Sequence, residues 1–600
     1  MMDINALNMT IPEIQQAYRD GALTPLALIE HLLTASEKYD DHNIWISRLS
    51  TEQVQPYLDR LADYSVDDLP LYGIPFAIKD NIDLAGVATT AACEDFSYIP
   101  DEHAHVVAQL IKAGAIPLGK TNLDQFATGL VGVRSPEPWG ACKNSINPKY
   151  ISGGSSAGSA VAVALGLVSF SLGTDTAGSG RVPAAFNNLV GLKSSKGLLS
   201  TRGVVPACRS LDCVTIFSRT TDDANQVFEV AADFDQSDAY ARPNRDTNKR
   251  NYGKVERASF RFATPQVDQL NFFGNQEVEE GFKQAIETLK QLGGIHQTID
   301  FSPFITAAKL LYEGPWVAER RVATEGVDHK SMLPVIANIL ATQKEALADD
   351  LFKAQYKLQG CYQQVQPVLA DYDFILTPTA GTIYTIDQVQ ADPIQLNSNL
   401  GYYTNFMNLL DCSAVAVSAG FMTSGLPYGV TLFSRAFSDT RLLSFANLFQ
   451  QQLALPLGAS QHELPKSNAK PAGVMDTVEV VVCGAHLQGL PLNWQLTDRG
   501  GKLVRRTRSS AKYRLYALAG GPPYRPGMIR DEQNGQQIEV EVWSLPTVTL
   551  GSFVANIPAP LGIGKIELED NKWYVGFICE SYVLDTAIDI THKGGWRNYI

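Results

Sequence analysis

Two stretches rich in glycine and serine contain the residues whose chemistry is most informative in this sequence. The first covers residues 152–159 and the second covers residues 173–181, with an apolar run between them. A serine hydroxyl becomes a nucleophile only when a neighbouring base takes its proton. Neither stretch contains histidine, and the nearest histidines lie far away in the sequence. Folding could still bring a histidine close, because catalytic triads assemble in space.

Lys79 is a better candidate for the base. Ile74, Phe76 and Ile78 alternate with other residues as the apolar face of a short predicted strand. Lys79 then lies on the opposite face, where the other side chains are small enough for a backbone segment to approach it. Burial disfavours the ammonium form of lysine, so such a side chain can act as a neutral proton acceptor near pH 7.

These motifs resemble the amidase signature family over roughly residues 20–455, because Lys79, Gly-Gly-Ser-Ser-x-Gly-Ser and Gly-Thr-Asp-Thr-x-Gly-Ser occur in the family's order and spacing. The resemblance implies that Ser179 is the acyl-accepting nucleophile, Ser155 the bridging serine and Lys79 the base. It also implies a cis peptide bond between Gly154 and Ser155. The reaction expected of such a triad is amide hydrolysis through an acyl-enzyme.

The loop that carries the expected nucleophile is made of small residues whose amides can converge on one point. We expect an oxyanion hole there, formed by Thr176, Ala177, Gly178 and Ser179. Donors fixed around the developing negative oxygen are usually the largest catalytic contribution. Asp175 and Arg181 are interpreted as a structural ion pair that braces this loop.

Within the family, the nucleophile loop (residues 177–185) resembles that of allophanate hydrolases. Tyr312 and Arg320 resemble the tyrosine and arginine with which that subgroup holds the carboxylate of its substrate. A planar guanidinium can bind a carboxylate through two parallel hydrogen bonds. On spacing alone, Arg320 could instead pair with Glu313 or Glu319 on a helix face.

Two C-terminal segments, residues 483–493 and 524–528, resemble the extra domain of allophanate hydrolases. That domain has a gamma-glutamyl-cyclotransferase-like fold, and the resemblance implicates it in decarboxylating the N-carboxycarbamate left by the first step. His486 is the candidate residue for this work. Two alternatives stay open: His486 is a hydrogen-bonded structural residue, or the domain is a binding or dimer-bracing module without chemistry.

The elements that must position these residues indicate an α/β fold. We expect an amidase-signature core with a central mixed sheet covered by helices on both faces, followed by a small, mostly β (α+β) domain. The expected divisions are an N-terminal helical layer and candidate dimer interface at 1–65, the amidase signature domain at 66–455, a linker at 456–475 and the C-terminal domain at 476–600. Helices are predicted at 277–292 and 343–366, strands at 168–172, 373–379 and 414–419, and a solvated loop or local anion contact at the basic segment 499–512.

Composition excludes several classes of protein. With 600 residues, 45% hydrophobic and 19% charged, the chain is typical of a globular protein of more than one domain. A net charge of −14 argues against nucleic-acid binding. The eight cysteines form no C-x-x-C pair, which predicts a reducing cytoplasm and no metal site. We expect no signal peptide, no membrane span, no cofactor, and a homodimer acting on a small molecule.

The sequence therefore predicts a cytoplasmic allophanate hydrolase of nitrogen metabolism, in urea use or in the breakdown of nitrogen-rich rings. The alternatives are the glutaminase subunit of a tRNA-dependent amidotransferase, which shares the triad, and a broader small-amide amidase. The segment 476–600 favours the first interpretation. The chain has no biotin-accepting Ala-Met-Lys-Met sequence, so we do not expect a full urea amidolyase.

Overall fold

The structure, a computed structural model, describes residues 3–245, 248, 252–253, 259–342, 346–467 and 477–600. The chain divides into two compact units, Met1–Asn244 with Asn251–Pro471 and Arg245–Arg250 with Ala472–Ile600. Part of the predicted linker, residues 468–475, lies outside the described residues. No described helix combines the length and the apolar content needed to cross a membrane.

A mixed β-sheet lies at the centre of the first unit. Its strands among the described residues are β1 (Trp45–Arg48), β2 (Pro75–Lys79), β3 (Ile116–Thr121), β4 (Phe170–Asp175), β5 (Val190–Lys193), β6 (Cys213–Ser218), β7 (Phe260–Pro265), β8 (Gly294–Ile299), β9 (Phe374–Pro378), β10 (Cys412–Phe421) and β11 (Pro427–Arg435). They are ordered β1-β3-β2-β4-β6-β5-β10-β11-β9-β7-β8. Because β2 and β4 pair in parallel, their carboxyl ends, Lys79 and Asp175, lie at the same edge of the sheet.

Helices pack around this sheet, and the predicted α/β class is confirmed. In chain order they are α1 (Ile11–Arg19), α2 (Pro25–Glu37), α3 (Thr51–Leu61), α4 (His105–Lys112), α5 (Ala157–Ala164), α6 (Val182–Phe186), α7 (Thr221–Ala231), α8 (Gln276–Gln291), α9 (Ser302–Glu313), α10 (Trp316–Ala323), α11 (Pro334–Ala341), α12 (Ala348–Asp371), α13 (Ile386–Ala391), α14 (Gln395–Leu400) and α15 (Asp439–Leu453). Every residue of α5 is buried. An alanine-rich helix that is apolar on all sides belongs inside a core.

The predicted elements of the first unit are present, with shifted ends. The strand predicted at 168–172 is β4, which begins two residues later and continues to Asp175 because it pairs with β6 along its whole length. The helix predicted at 343–366 corresponds to α12, which begins at Ala348 and runs to Asp371, and residues 343–345 of that prediction lie outside the described residues. β1 was not predicted: it lies between the N-terminal helices and pairs with β3 at the edge of the sheet.

The second unit is mostly β, as expected. Its strands among the described residues are β12 (Thr477–Val482), β13 (Lys502–Arg508), β14 (Tyr513–Ala517), β15 (Pro526–Arg530), β16 (Glu539–Pro546), β17 (Leu561–Glu567), β18 (Trp573–Cys579) and β19 (Ile588–Asp589). The helices α16 (Trp494–Thr497) and α17 (Thr547–Val554) also belong to this unit. Five of the described strands form one sheet in the order β13-β16-β12-β18-β17, and β15-β14-β19 form another.

The basic segment 499–512 is not the predicted loop. Most of it is β13, an edge strand of the five-stranded sheet. Arg506 lies directly opposite Glu541 of β16, and its Nε donates to that buried carboxylate at 3.3 Å. Charged side chains suit an exposed sheet edge, because they discourage pairing with another chain. The cross-strand charge pairs that stabilise this strand were invisible to a local reading of composition.

Candidate active site

Lys79, the last residue of β2, is fully buried. Its Nζ donates hydrogen bonds to Ser155 Oγ at 2.8 Å and to Thr174 Oγ1 at 2.7 Å. Burial lowers the pKa of Lys79 from 10.5 to about 7, against the opposing charges of Asp124 and other carboxylates. A substantial fraction of this side chain is therefore the neutral amine near pH 7, the form that can accept a proton.

Ser155 stands where the chain turns from a loop into α5. The peptide bond between Gly154 and Ser155 is cis, as expected. Gly153 has a φ of +76°, a conformation that favours glycine. At Gly154 an added Cβ would lie 2.1 Å from Asp124 Oδ2 and 2.5 Å from the amide nitrogen of Gly132. The glycines therefore allow a close approach of backbones that holds Ser155 against Lys79.

Ser179 lies in the loop between β4 and α6 and is 3% exposed. Its Oγ donates to the carbonyl of Gly129 at 3.4 Å. Lys79 and Ser155 are hydrogen-bonded to each other, whereas no hydrogen bond joins Ser155 to Ser179 in the part of the chain that the structure describes. The first step of the expected proton relay is thus formed, and the second requires the Ser179 hydroxyl to turn from Gly129 towards Ser155.

The predicted brace of the nucleophile loop is confirmed. Arg181 donates to both carboxylate oxygens of Asp175, from Nε at 2.8 Å and from Nη2 at 2.9 Å, and both side chains are fully buried. The same carboxylate accepts the amides of Gly178 at 2.8 Å and Gly180 at 3.0 Å. The ion pair thereby holds the loop on both sides of Ser179.

This brace changes the expected oxyanion hole. The amide of Gly178 already donates to Asp175, so it cannot point at a substrate oxygen in this conformation. Among the described residues, the amides of Thr176, Ala177 and Ser179 have no hydrogen-bond acceptor in the protein. Those three amides are the donors still available to a developing oxyanion.

Arg320 is 2% exposed and lies close enough to Lys79 for its charge to lower the pKa of that amine. Its Nη1 donates to Thr128 Oγ1 at 3.0 Å, and its guanidinium lies over the ring of Tyr312, 5.5 Å from the centroid. The Nε of Arg320 has no acceptor among the described residues. A buried cation with an unused donor is a natural partner for an anionic group.

The alternative pairing of Arg320 with Glu313 or Glu319 is not formed among the described residues. The carboxylate of Glu319 instead accepts the amide and the hydroxyl of Ser210, each at 2.7 Å. No ion pair joins Arg320 to Glu313 or Glu319 in the described chain. Spacing alone could not distinguish these arrangements, because they depend on which residues of other segments lie beside each side chain of α10 in the folded chain.

Sequence reasoning missed the loop from Asp124 to Arg134, which lies between β3 and the Ser155 segment. Thr128 and Gly129 of this loop provide the acceptors for Arg320 and Ser179. The carboxylate of Asp124 accepts the amides of Gly132 at 3.0 Å and Arg134 at 2.8 Å. An acidic residue followed by closely spaced glycines, directly after a buried strand, was the signal that could have identified this loop.

His486, in the second unit, packs its ring 4.9 Å from that of Phe577 in a stacked arrangement, and its Nε2 lies 2.8 Å from Gln495 Oε1. Burial lowers the pKa of this imidazole. A small cavity beside it is also lined by Arg525, whose buried Nε has no acceptor among the described residues. These contacts are compatible with a structural histidine and with a small anion site.

Both units of the chain are similar to known proteins. Residues 27–443 match the Amidase family, and residues 478–600 match the family described as allophanate hydrolase C-terminal domain. The chain is 43% identical to the urea amidolyase of Lachancea kluyveri and 42% identical to that of Saccharomyces cerevisiae, over 95% and 96% of its length. It spans only about a third of these relatives, 32% of each.

A structure of Kluyveromyces lactis allophanate hydrolase is similar over 98% of both chains, with 39% identity and a TM-score of 0.74. A glutamyl-tRNA(Gln) amidotransferase subunit from Streptococcus thermophilus is 31% identical, but the match covers 63% of this chain and 83% of that protein. The match to the Kluyveromyces lactis allophanate hydrolase structure includes the second unit of this chain.

Proposed function

The chain belongs to the amidase family, as its motifs predicted, and from that premise we propose that it is an allophanate hydrolase. The proposed reaction is hydrolysis of the terminal amide of allophanate, with release of ammonia. The observation that carries the proposal is the buried guanidinium of Arg320, which has an unused Nε and lies near the Lys79–Ser155 hydrogen bond. A neutral amide would leave that guanidinium without a direct ion-pair partner among the described residues, whereas allophanate brings a carboxylate.

In the proposed mechanism, neutral Lys79 takes the proton of Ser155 while Ser155 takes the proton of Ser179. The freed Ser179 oxygen attacks the amide carbonyl and forms a tetrahedral intermediate, whose negative oxygen the amides of Thr176, Ala177 and Ser179 stabilise. The proton returns through Ser155 to the leaving nitrogen, and ammonia departs. Water then attacks the acyl-enzyme and releases N-carboxycarbamate, with Lys79 again acting as the base.

The carboxylate of the substrate is proposed to bind Arg320, with Tyr312 under the guanidinium and Thr128 fixing its orientation. This arrangement supports a preference for amides that carry a carboxylate. Allophanate and biuret differ in one group, which is a carboxylate in the first and a neutral carboxamide in the second. Their ratio of kcat/KM therefore isolates the contribution of the charge.

The test measures ammonia release from allophanate, malonamate, biuret and glutamine by the purified protein. We expect preference for allophanate over biuret, and Arg320→Ala should remove most of that preference. Arg321→Ala, the adjacent arginine on the same helix, is the matched control and should retain it. A preference for glutamine over allophanate would favour the amidotransferase glutaminase and refute the assignment. Unchanged selectivity in Arg320→Ala would remove that residue from the site.

For the second unit we propose a role in decarboxylating N-carboxycarbamate, with His486 and the nearby Arg525 as the groups that meet its carboxylates. The unpartnered Nε of Arg525 and the adjacent cavity support this role. Truncation after residue 460 tests it. A catalytic domain predicts continued ammonia release with slower carbon dioxide release. A bracing module predicts loss of stability or assembly with unchanged product ratios.

We also propose a cytoplasmic location and a homodimer. All eight cysteines are free thiols with buried side chains, which supports a reducing compartment. The helices α1 to α3 at the N-terminus are the candidate dimer interface. Light scattering coupled to size-exclusion chromatography measures the mass directly, and a monomer at micromolar concentration would contradict the second proposal.

A further inference from the structure

Asp124 has a fully buried carboxylate that receives three backbone amides from its own loop, residues 124–134. Its Oδ1 accepts the amide of Arg134 at 2.8 Å, and its Oδ2 accepts those of Gly132 at 3.0 Å and Val131 at 3.3 Å. Both oxygens accept amide hydrogens, which favours the ionised carboxylate, whereas burial raises the pKa of this group. The carboxylate therefore joins the start of this loop to its end through hydrogen bonds.

The loop that Asp124 closes contacts three separate parts of the proposed active site. The carbonyl of Gly129 accepts the hydroxyl of Ser179 at 3.4 Å, and Thr128 Oγ1 accepts Nη1 of Arg320 at 3.0 Å. The amide of Asp124 itself donates to the carbonyl of Ser155 at 3.1 Å. One loop thus holds the expected nucleophile, the expected anion-binding arginine and the bridging serine.

Two glycines pack so closely against the Asp124 carboxylate that neither has room for a side chain. An added Cβ would lie 2.5 Å from Oδ2 at Gly129 and 2.1 Å from it at Gly154. Real Cβ atoms do not approach an oxygen this closely, so the backbone of both segments rests directly on the carboxylate. The size and position of Asp124 consequently set the separation between the Gly129 carbonyl and the cis peptide before Ser155.

The charge of Asp124 also acts on the base. Asp124, Asp212 and Asp175 raise the pKa of Lys79, and Arg320 lowers it. Of the three acids, Asp175 is neutralised by its ion pair with Arg181. Asp212 accepts the Thr176 hydroxyl and the amides of residues 207 and 208.

No ion pair within 4.0 Å involves Asp124 in the described chain. The guanidinium of Arg134 is directed instead to the carbonyls of Thr128 and Pro393. Asp124 therefore forms no direct ion pair within this distance, and the nearby charge of Arg134 and the amide hydrogens of the loop together favour its ionised form.

We propose that Asp124 is a positioning residue for amide hydrolysis: its carboxylate holds the loop 124–134 against the Gly154–Ser155 peptide and so sets the path along which Ser179, Ser155 and Lys79 exchange a proton. This inference rests on the proposed function of those three residues. It does not depend on which amide is the natural substrate, because the loop contacts the proton path as well as Arg320.

The test is Asp124→Asn, which keeps the volume but removes the charge and one acceptor. We expect kcat to fall on the order of 100-fold, as for a misplacement of about 1 Å. The acidic midpoint of the kcat/KM profile should also move to lower pH, because an acid that raises the pKa of Lys79 has gone. Asp223→Asn is the control: Asp223 is a buried carboxylate that accepts the amide of Ile11, away from this site, and its loss should leave the midpoint in place.

A merely structural role predicts lower stability of Asp124→Asn with an unchanged kcat per folded molecule and an unchanged midpoint, and that result would overturn the proposal. If Asp124→Asn does not fold, Gly129→Ala is the variant that tests the proposal. It keeps the charge and displaces the loop, so kcat should fall while the midpoint stays, and an unchanged kcat would count against the proposal. If the parent protein turns over malonamate but not allophanate, the proposed function fails, and the Asp124 comparison is made with malonamate.

Discussion

Replacing Lys79 by methionine should abolish activity and at the same time stabilise the fold, by an amount that depends on pH. Methionine has nearly the same length and no charge, and it fills the same buried space. The unfolded chain binds a proton on Lys79 up to about pH 10.5, whereas the folded chain binds it only up to about pH 7. Holding this amine in the core therefore costs the folded state about 5 kcal/mol at pH 7 and below.

The difference in unfolding free energy between Lys79→Met and the parent depends on pH. Between pH 7 and 10.5 the unfolded state binds more protons than the folded state, so the stability of the parent rises by about 1.4 kcal/mol per pH unit. The variant has no such group and lacks this rise. Its advantage is reduced by the two hydrogen bonds that Lys79 donates to Ser155 and Thr174, worth about 1 kcal/mol each, but these do not change its slope with pH.

The measurement is urea unfolding of Lys79→Met and of the parent, side by side, at several pH values from 7 to 9.5. We expect the variant to be more stable at pH 7, and the difference in unfolding free energy to shrink by roughly 3 kcal/mol over that range. A difference that stays constant with pH would show that Lys79 does not titrate near neutrality in the fold. The neutral-amine mechanism would then lose its base.

Three further substitutions test the surrounding charges. Lys120→Met should destabilise the protein by about 3–5 kcal/mol, because it leaves the fully buried carboxylate of Asp80 without its cation. This effect is opposite in sign to that of Lys79→Met, and urea unfolding at pH 7 measures the stability of both variants. Arg320→Met should move the acidic midpoint of kcat/KM for biuret to higher pH, since the charge that lowers the pKa of Lys79 is lost, and a midpoint shifted to lower pH would contradict that geometry. Arg181→Met should cost about 3–5 kcal/mol by stranding Asp175, and a variant with parental thermal stability would rule out the brace.

Much of the architecture could be read from the sequence, because it depends on local patterns. Alternating apolar residues before Lys79 predicted β2, and the helix predicted at 277–292 is α8. Element ends were less accurate: α12 begins five residues after its predicted start, and the basic segment that includes Arg506 is a strand rather than a loop. Both depend on partners from distant parts of the chain, which periodicity does not reveal.

The sequence by itself determined which residues could form the proton relay, since lysine and two serines among closely spaced glycines are chemically specific and occur in the order typical of the family. Tertiary structure alone decided how they are used. It paired Lys79 with Ser155 across 76 residues of sequence and placed the carboxylate of Asp124 against both Gly129 and Gly154. The physical reason is that hydrogen-bond partners and burial are set by packing between distant segments, whereas residue identity and spacing are properties of the chain itself.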